Sequence, residues 1–321
     1  MPAACRKGNL MKILKIPELN QRMHTDPIYM IAESEQQYNQ QLTRVALDIL
    51  KHRKDKPILL LSGPSGSGKT TSALRIEQLL EGWGCAAMVL SMDNYYLPES
   101  ETPQALNEHG VIDYESPYRL DIPLLSDHLA KLSRCEPIQL PVFNFAKQCR
   151  ETGQTIQRKP DELVILEGIH ALNPEVTGSA GAFASCIYVS VRTRLQGEDG
   201  TLLHPSKIRL MRRLMRDRIF RGREPVDTFR LFESVSRGEH QYIMPFKHRA
   251  AYEIDTFIDY EASVYRSILL PDLLQIADTY PDYARYADIA AFLQALEPVP
   301  QELVPGISLV REFIGGSTFH Y

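Results

Sequence analysis

The sequence predicts an α/β fold: a five-stranded parallel sheet flanked by helices. Two observations carry that expectation. Short apolar runs recur along the chain, each bounded by Gly or polar residues, and amphipathic helical segments separate them. Such runs read as strands buried on both faces, and strands alternating with helices imply parallel crossovers with helices covering the sheet. At 321 residues the chain can bury one large core with appendages.

Residues 34–52 place Tyr38, Leu42, Val45, Ala46 and Ile49 at helical spacing, with polar residues opposite, which predicts an amphipathic helix. After the charged turn KHRKDK, the run PILLLS (57–62) is the first core strand. A helix over about 69–81, closed by Gly82 and Gly84, leads to a second strand, AAMVLS, ending at Ser91. The third, LVILEG, ends at Glu167 and Gly168; a fourth covers 186–191, and a weaker fifth lies at 254–260.

Between strands two and three lies an insertion over about 95–160, rich in Pro, Tyr, Asp and Glu. Within it, IQLPVFNF and GQTIQRK read as a hairpin laid over the sheet edge, and insertions this long in compact domains are usually functional. From 261 onward the chain continues as helices (VYRSILLPDLLQI, YADIAAFLQAL) and ends in VPGISLVREFIGGSTFHY, whose composition offers no chemistry. The expected organisation is an N-terminal extension (1–54), a core domain (55–275) carrying the insertion and an arginine-rich segment (205–225), and a C-terminal tail (276–321).

The net charge of -4 lacks the basic field of a dedicated nucleic-acid binder, so any anion site must be local. Cys5, Cys85, Cys135, Cys149 and Cys186 show no CxxC spacing, which argues against a disulfide framework or a zinc site and fits a reducing, cytoplasmic setting. The opening MPAACRKGNLMKILKI lacks a signal-peptide core, and no apolar run is long enough to span a membrane. Homo-oligomerisation stays open.

The segment GPSGSGKTT (63–71) matches GxxxxGK[ST] between an expected strand and an expected helix, the context a P-loop requires. Its residues Gly63, Ser65, Gly66, Ser67, Gly68, Lys69, Thr70 and Thr71 are the expected ATP-binding set. Glycines let successive N–H groups face the phosphates, and the helix directs its positive end there. Lys69 would hold the β and γ phosphates and the Thr70 hydroxyl would ligate Mg2+.

In open α/β sheets ligands sit beyond the carboxyl ends of the strands. Asp93, in SMDNYY, and Glu167, ending LVILEG, stand there. Asp93 could take a proton from an acceptor hydroxyl while helping to hold Mg2+, and Glu167 could ligate the metal through water. The bland alternatives are a helix cap for Asp93 and a surface ion pair for Glu167.

Residues 207–223, KIRLMRRLMRDRIFRGR, carry seven arginines on a helical pattern whose apolar side is Ile208, Met211, Met215 and Ile219. With few acids nearby in sequence, this density suggests a lid over the triphosphate, with Arg213, Arg216, Arg221 and Arg223 as the candidates. A solvated charged helix or a nucleic-acid patch are the competing readings.

With GPSGSGKTT, MDNYY, IDYESP, VILEGI and RDRIFRGR in this order, the chain from about 55 to 275 resembles the uridine/cytidine kinase branch of the phosphoribulokinase and uridine kinase family. The resemblance implies ATP-dependent phosphorylation of a pyrimidine nucleoside at its 5'-hydroxyl. It implies a ribose gripped by Asp93, Tyr96 and Asp113, with Asp93 as base and Arg216 reaching the acceptor or the phosphates. Where that family typically offers tyrosine and histidine in its base-reading hairpin, this chain has Phe143 and Gln148, with Arg150 retained. Phe143 can stack on a pyrimidine and Gln148 can donate and accept. Two other readings compete. One is a kinase of the same fold for another alcohol, such as a sugar phosphate or a pantothenate-like metabolite, using Lys147, Arg150, Arg158 and Lys159. The other is a nucleotide-binding regulator without phosphotransfer.

Overall fold

The computed structural model describes residues 12–102, 105–106 and 112–320. Cys5 and the first eleven residues of the opening stretch lie outside the described residues. Strand β1 (Ile13–Lys15) leads into helices α1 (Ile16–Thr25) and α2 (Pro27–His52). Helix α2 starts earlier than its apolar spacing suggests, because Asp26 accepts from the Tyr29 N–H at 2.9 Å and Pro27 fills the first position. Its expected stripe of Tyr38, Leu42, Val45, Ala46 and Ile49 is buried.

Next come β2 (Ile58–Ser62), α3 (Lys69–Gly82), β3 (Ala87–Ser91) and α4 (Ile122–Ser133). The hairpin follows as β4 (Pro137–Asn144) and β5 (Cys149–Gln157), then β6 (Leu163–Glu167), the short α5 (Pro174–Thr177) and β7 (Ala184–Ser190). Strands β8 (Arg194–Gln196) and β9 (Leu202–Leu203) precede α6 (Pro205–Arg221) and α7 (Pro225–Gly238). Strand β10 (Tyr252–Asp255), α8 (Glu261–Gln275), α9 (Ala287–Ala295) and the one-turn α10 (Arg311–Ile314) complete the chain.

The main sheet has five strands in the order β10-β7-β2-β6-β3, every pair parallel. All five residues of β2 and of β6 are buried, as strands covered on both faces must be. One apolar cluster joins Leu42 of α2, Leu59 and Leu61 of β2, Met211 of α6, and Leu309 and Phe313 near the C-terminus. The extension, the core segment and the tail therefore share one interior. On the other face Leu60 and Leu166 pack with Leu125 of α4 and Ile138 of the hairpin.

Two expectations need correction. The fifth strand stops at Asp255 instead of running to 260, because the Asp255 carboxylate accepts from the N–H groups of Arg192, Thr193 and Phe257 and turns the chain. Ile219, expected on the apolar side of α6, is 42% exposed. Arginines fill the buried side in its place: Arg209, Arg212 and Arg213 are all buried.

Candidate active site

The P-loop follows β2 and opens α3, with Gly66 and Gly68 in the left-handed region at φ 74° and 77°. Gly63 is required by contact: a Cβ there would lie 2.1 Å from the Val189 carbonyl oxygen of β7. The loop is braced from α6. Arg209 donates to the Ser65 carbonyl at 3.1 Å, Arg212 to the Gly66 carbonyl at 3.0 Å and Arg213 to Ser65 Oγ at 2.8 Å. These bonds turn the Ser65 and Gly66 carbonyls toward the helix, while the Ser67 N–H closes on the Pro64 carbonyl at 3.1 Å.

Lys69 and Thr70 are the first two residues of α3. Lys69 Nζ donates to the Pro64 carbonyl at 3.3 Å. Burial lowers the Lys69 pKa, while the charges of Glu167, Asp93 and Glu312 oppose that shift. Asp93 follows β3 with its side chain open to solvent, yet protein atoms crowd its surroundings. That desolvation raises its pKa against the pull of Lys69 and Arg216. Glu167 ends β6, accepts from Ser91 Oγ at 3.0 Å, and is pushed up to about 7 by burial and by the neighbouring Asp93 charge. Of the expected trio, Asp93 follows β3 and Glu167 ends β6, while Thr70 lies in the first turn of α3.

The structure overturns the expectation that the arginine segment meets few acids. Glu239 holds Arg209 at 2.5 Å, Glu261 holds Arg212 at 2.7 Å with both side chains fully buried, and Asp272 holds Arg218. Buried Asp217 lies 4.0 Å from Arg213, 2.8 Å from Arg221 and 3.6 Å from Arg223. Among the described residues, Arg216 alone of the seven has no carboxylate partner, and its Nε is buried without a hydrogen bond. Arg213 Nε and Ser67 Oγ are likewise unpartnered. Burial and Arg216 pull the Arg213 pKa down, and a guanidinium that must stay charged there favours an incoming anion.

The hairpin closes the other side. Tyr96, Phe143 and Phe145 form a trio of edge-to-face rings with centroids 5.1–6.2 Å apart, and the Arg119 guanidinium lies 5.8 Å from the Tyr96 ring. Phe143 is buried and Phe145 is exposed. Gln148 sits in the hairpin turn at φ 52° and donates to the Phe145 carbonyl at 2.8 Å. Arg150 pairs with Asp121 at 2.7 Å. Two more cations of the sugar-phosphate reading are engaged: Lys147 pairs with Glu151, and Arg158 donates to five backbone carbonyls, among them Leu132 and Ser133. Lys159 binds the Glu162 side chain through its backbone N–H, a contact that does not engage its ammonium.

Asp113, expected to grip a ribose, already accepts from the Tyr242 hydroxyl at 3.2 Å and the Glu115 N–H at 3.1 Å, with Arg237 at 3.8 Å. Its neighbour Glu115 is a site residue that the sequence reading missed. Glu115 Oε2 is buried without a partner, burial pushes its pKa up to about 7, and it feels Arg213, Lys69 and Asp93. His170, just after β6, is buried beside the Glu115 backbone, and burial lowers its pKa to about 4, so the ring is neutral. Phe145 was legible as the second aromatic of FNF, and it opens the turn that follows β4. Glu115 lay inside the quoted IDYESP, but nothing local separates it from Asp113.

The profile of the Phosphoribulokinase / Uridine kinase family matches residues 58–261. The chain belongs to that family. Curated relatives named uridine kinase include those of Anoxybacillus flavithermus, 31% identical over 199 residues, and of Geobacillus sp. (strain WCH70), 33% identical over 198. Each alignment covers 61% of this chain, and 85% and 84% of the relatives respectively. A putative fructose transport system kinase from Silicibacter sp. TM1040 is similar in structure with a TM-score of 0.46 at 17% identity, covering 66% of this chain and 98% of that one. Membership of the phosphoribulokinase/uridine kinase family makes this chain a kinase, and the family uses ATP, usually with Mg2+. No helix among the described residues is long and apolar enough to cross a membrane.

Proposed function

We propose that this family member transfers the γ-phosphoryl group of ATP to the 5'-hydroxyl of a pyrimidine nucleoside, giving the nucleoside monophosphate. The observation that carries the reading is the pairing, in one cleft, of Asp93 beside Lys69 and Arg216 with the aromatic wall of Tyr96, Phe143 and Phe145. A planar base would stack on the exposed Phe145 ring, which Phe143 supports edge-on from below, and this places a ribose toward Asp93.

The donor set fits ATP. Ser67 Oγ and the unpartnered Nε atoms of Arg213 and Arg216 are donors awaiting acceptors, and the Lys69 ammonium, which gives one bond to the Pro64 carbonyl at 3.3 Å, keeps further N–H donors for phosphate. Thr70, Asp93 and Glu167 would hold Mg2+, which neutralises phosphate charge when bound. Asp93, with its raised pKa, accepts the proton of the attacking hydroxyl as the new O–P bond forms. Arg216 stabilises the charge that builds on the transferred group, and Arg221 and Arg223, held by Asp217 at the end of α6, add to the field. Glu115, with its free buried oxygen, takes the ribose hydroxyls in place of Asp113, and Asp113 orients it through the Glu115 N–H. Gln148 and Arg150 would reach a base only after leaving Phe145 and Asp121.

The engagement of Lys147, Arg150 and Arg158 within the insertion disfavours a sugar-phosphate acceptor, and the catalytic set of Lys69, Asp93 and Glu167 disfavours a regulator. The test is an acceptor panel of uridine, cytidine, purine nucleosides, sugar phosphates and pantothenate with Mg-ATP, reading ADP and product mass. A 5'-monophosphate of uridine or cytidine is the expected product. Turnover of a sugar phosphate alone would overturn the assignment of the acceptor.

A further inference from the structure

The C-terminal segment, for which composition offered no role, folds back onto the P-loop. Val304, Leu309, Val310 and Phe313 are buried, and a Cβ on Gly68 would lie 2.5 Å from Leu309 Cδ1. Arg75 of α3 donates to the Ile307 carbonyl at 3.3 Å, and the Phe313 ring lies 5.2 Å from the Arg212 guanidinium that braces Gly66. Between these anchors the Glu312 carboxylate reaches the first turn of α3. Its Oε2 accepts from Thr71 Oγ1 at 2.5 Å and from the Thr71 N–H at 3.4 Å, and its charge is felt by Lys69 and Glu167.

A backbone N–H in the first turn of a P-loop helix belongs to the donor set that cradles phosphate oxygens. Here a carboxylate of the same chain already stands on it. A phosphate oxygen and the Glu312 carboxylate placed together at Thr71 would set two negative charges side by side at a part-buried position, where such repulsion is screened less than in open water. We infer that Glu312 is an internal competitor for the inner phosphate of the donor nucleotide and sets donor affinity: its side chain must leave Thr71 for the triphosphate to seat. The inference rests on the reading of the P-loop as the ATP site. Leu309 and Phe313 keep the backbone of the segment in place while the Glu312 side chain swings.

The test compares Mg-ATP and Mg-tripolyphosphate binding by calorimetry in the wild type, Glu312→Gln, Glu312→Ala and a Lys69→Ala control. Both Glu312 variants should bind both ligands about tenfold more tightly, the effect of removing one charged hydrogen-bonded competitor. Tripolyphosphate should gain as much as ATP, since the competition is for phosphate and not for the nucleoside. Unchanged or weaker binding in the Glu312 variants, with Lys69→Ala still abolishing it in the wild type, would overturn this inference and leave the ATP site standing. Absence of ATP binding in every protein would overturn both.

Discussion

Glu167→Gln should make the protein more stable and less active, with the gain in stability growing as pH rises from about 4.5 to about 7. Glu167 is fully enclosed at the end of β6, and its pKa rises from the ordinary 4.5 to about 7. The native state therefore holds this proton longer than the unfolded chain does. Stability falls as pH climbs from about 4.5 through about 7 and is flat above. At ~1.4 kcal/mol per pH unit, the cost of the ionised carboxylate reaches about 3 kcal/mol at pH 8. Glutamine keeps the shape and can still accept from Ser91 Oγ, so the charge is what the substitution removes. Urea unfolding of the nucleotide-free protein in EDTA, at pH 5 and pH 8, measures the effect. The variant should gain up to about 3 kcal/mol at pH 8 and about 0.8 kcal/mol at pH 5. An equal gain at both values would mean repacking and not charge relief. A loss at pH 8 would mean that Lys69 compensates the carboxylate fully and that the raised pKa is wrong.

Three further outcomes are expected. Asp93→Asn should lower kcat by about 10²–10⁴ while ATP affinity, measured by calorimetry, changes only a few-fold; retained turnover would remove Asp93 from the role of base. Arg212→Met leaves Glu261 buried and unpaired and should cost about 3–5 kcal/mol in urea unfolding, much of it recovered by adding Glu261→Leu. Gly63→Ala, whose Cβ meets the Val189 carbonyl at 2.1 Å, should destabilise by about 3 kcal/mol and weaken nucleotide binding in fluorescence titration, because β7 and the loop must part.

The sheet was legible because apolar runs, Gly and strand-end carboxylates are local signals. β2, β3 and β6 fall within a residue or two of where PILLLS, AAMVLS and LVILEG put them. What sequence could not show is pairing across distance. The acids that hold α6 come from Glu239, Glu261 and Asp272, and Glu261 lies 49 positions from its arginine. The engagement of Asp113 by Tyr242, 129 positions away, hides which of two neighbouring carboxylates is free. The fifth strand was misjudged for the same reason, since Asp255 is claimed by the loop after β7.

The bracing of the P-loop from α6 has a mechanical consequence. Arg209, Arg212 and Arg213 tie the first part of the helix to Ser65 and Gly66, so that part is a beam shared with the phosphate loop. Beyond Met215 the side chains are anchored mainly through Asp217 and Asp272, and Ile219 and Phe220 face solvent. Any closure over substrate is therefore a flexing of the far end against a fixed root, with the pivot near Arg216. Arg216 then senses both the rigid cradle and the travelling tip, and a substitution that stiffens the segment after it would slow the opening that releases product without touching the chemistry.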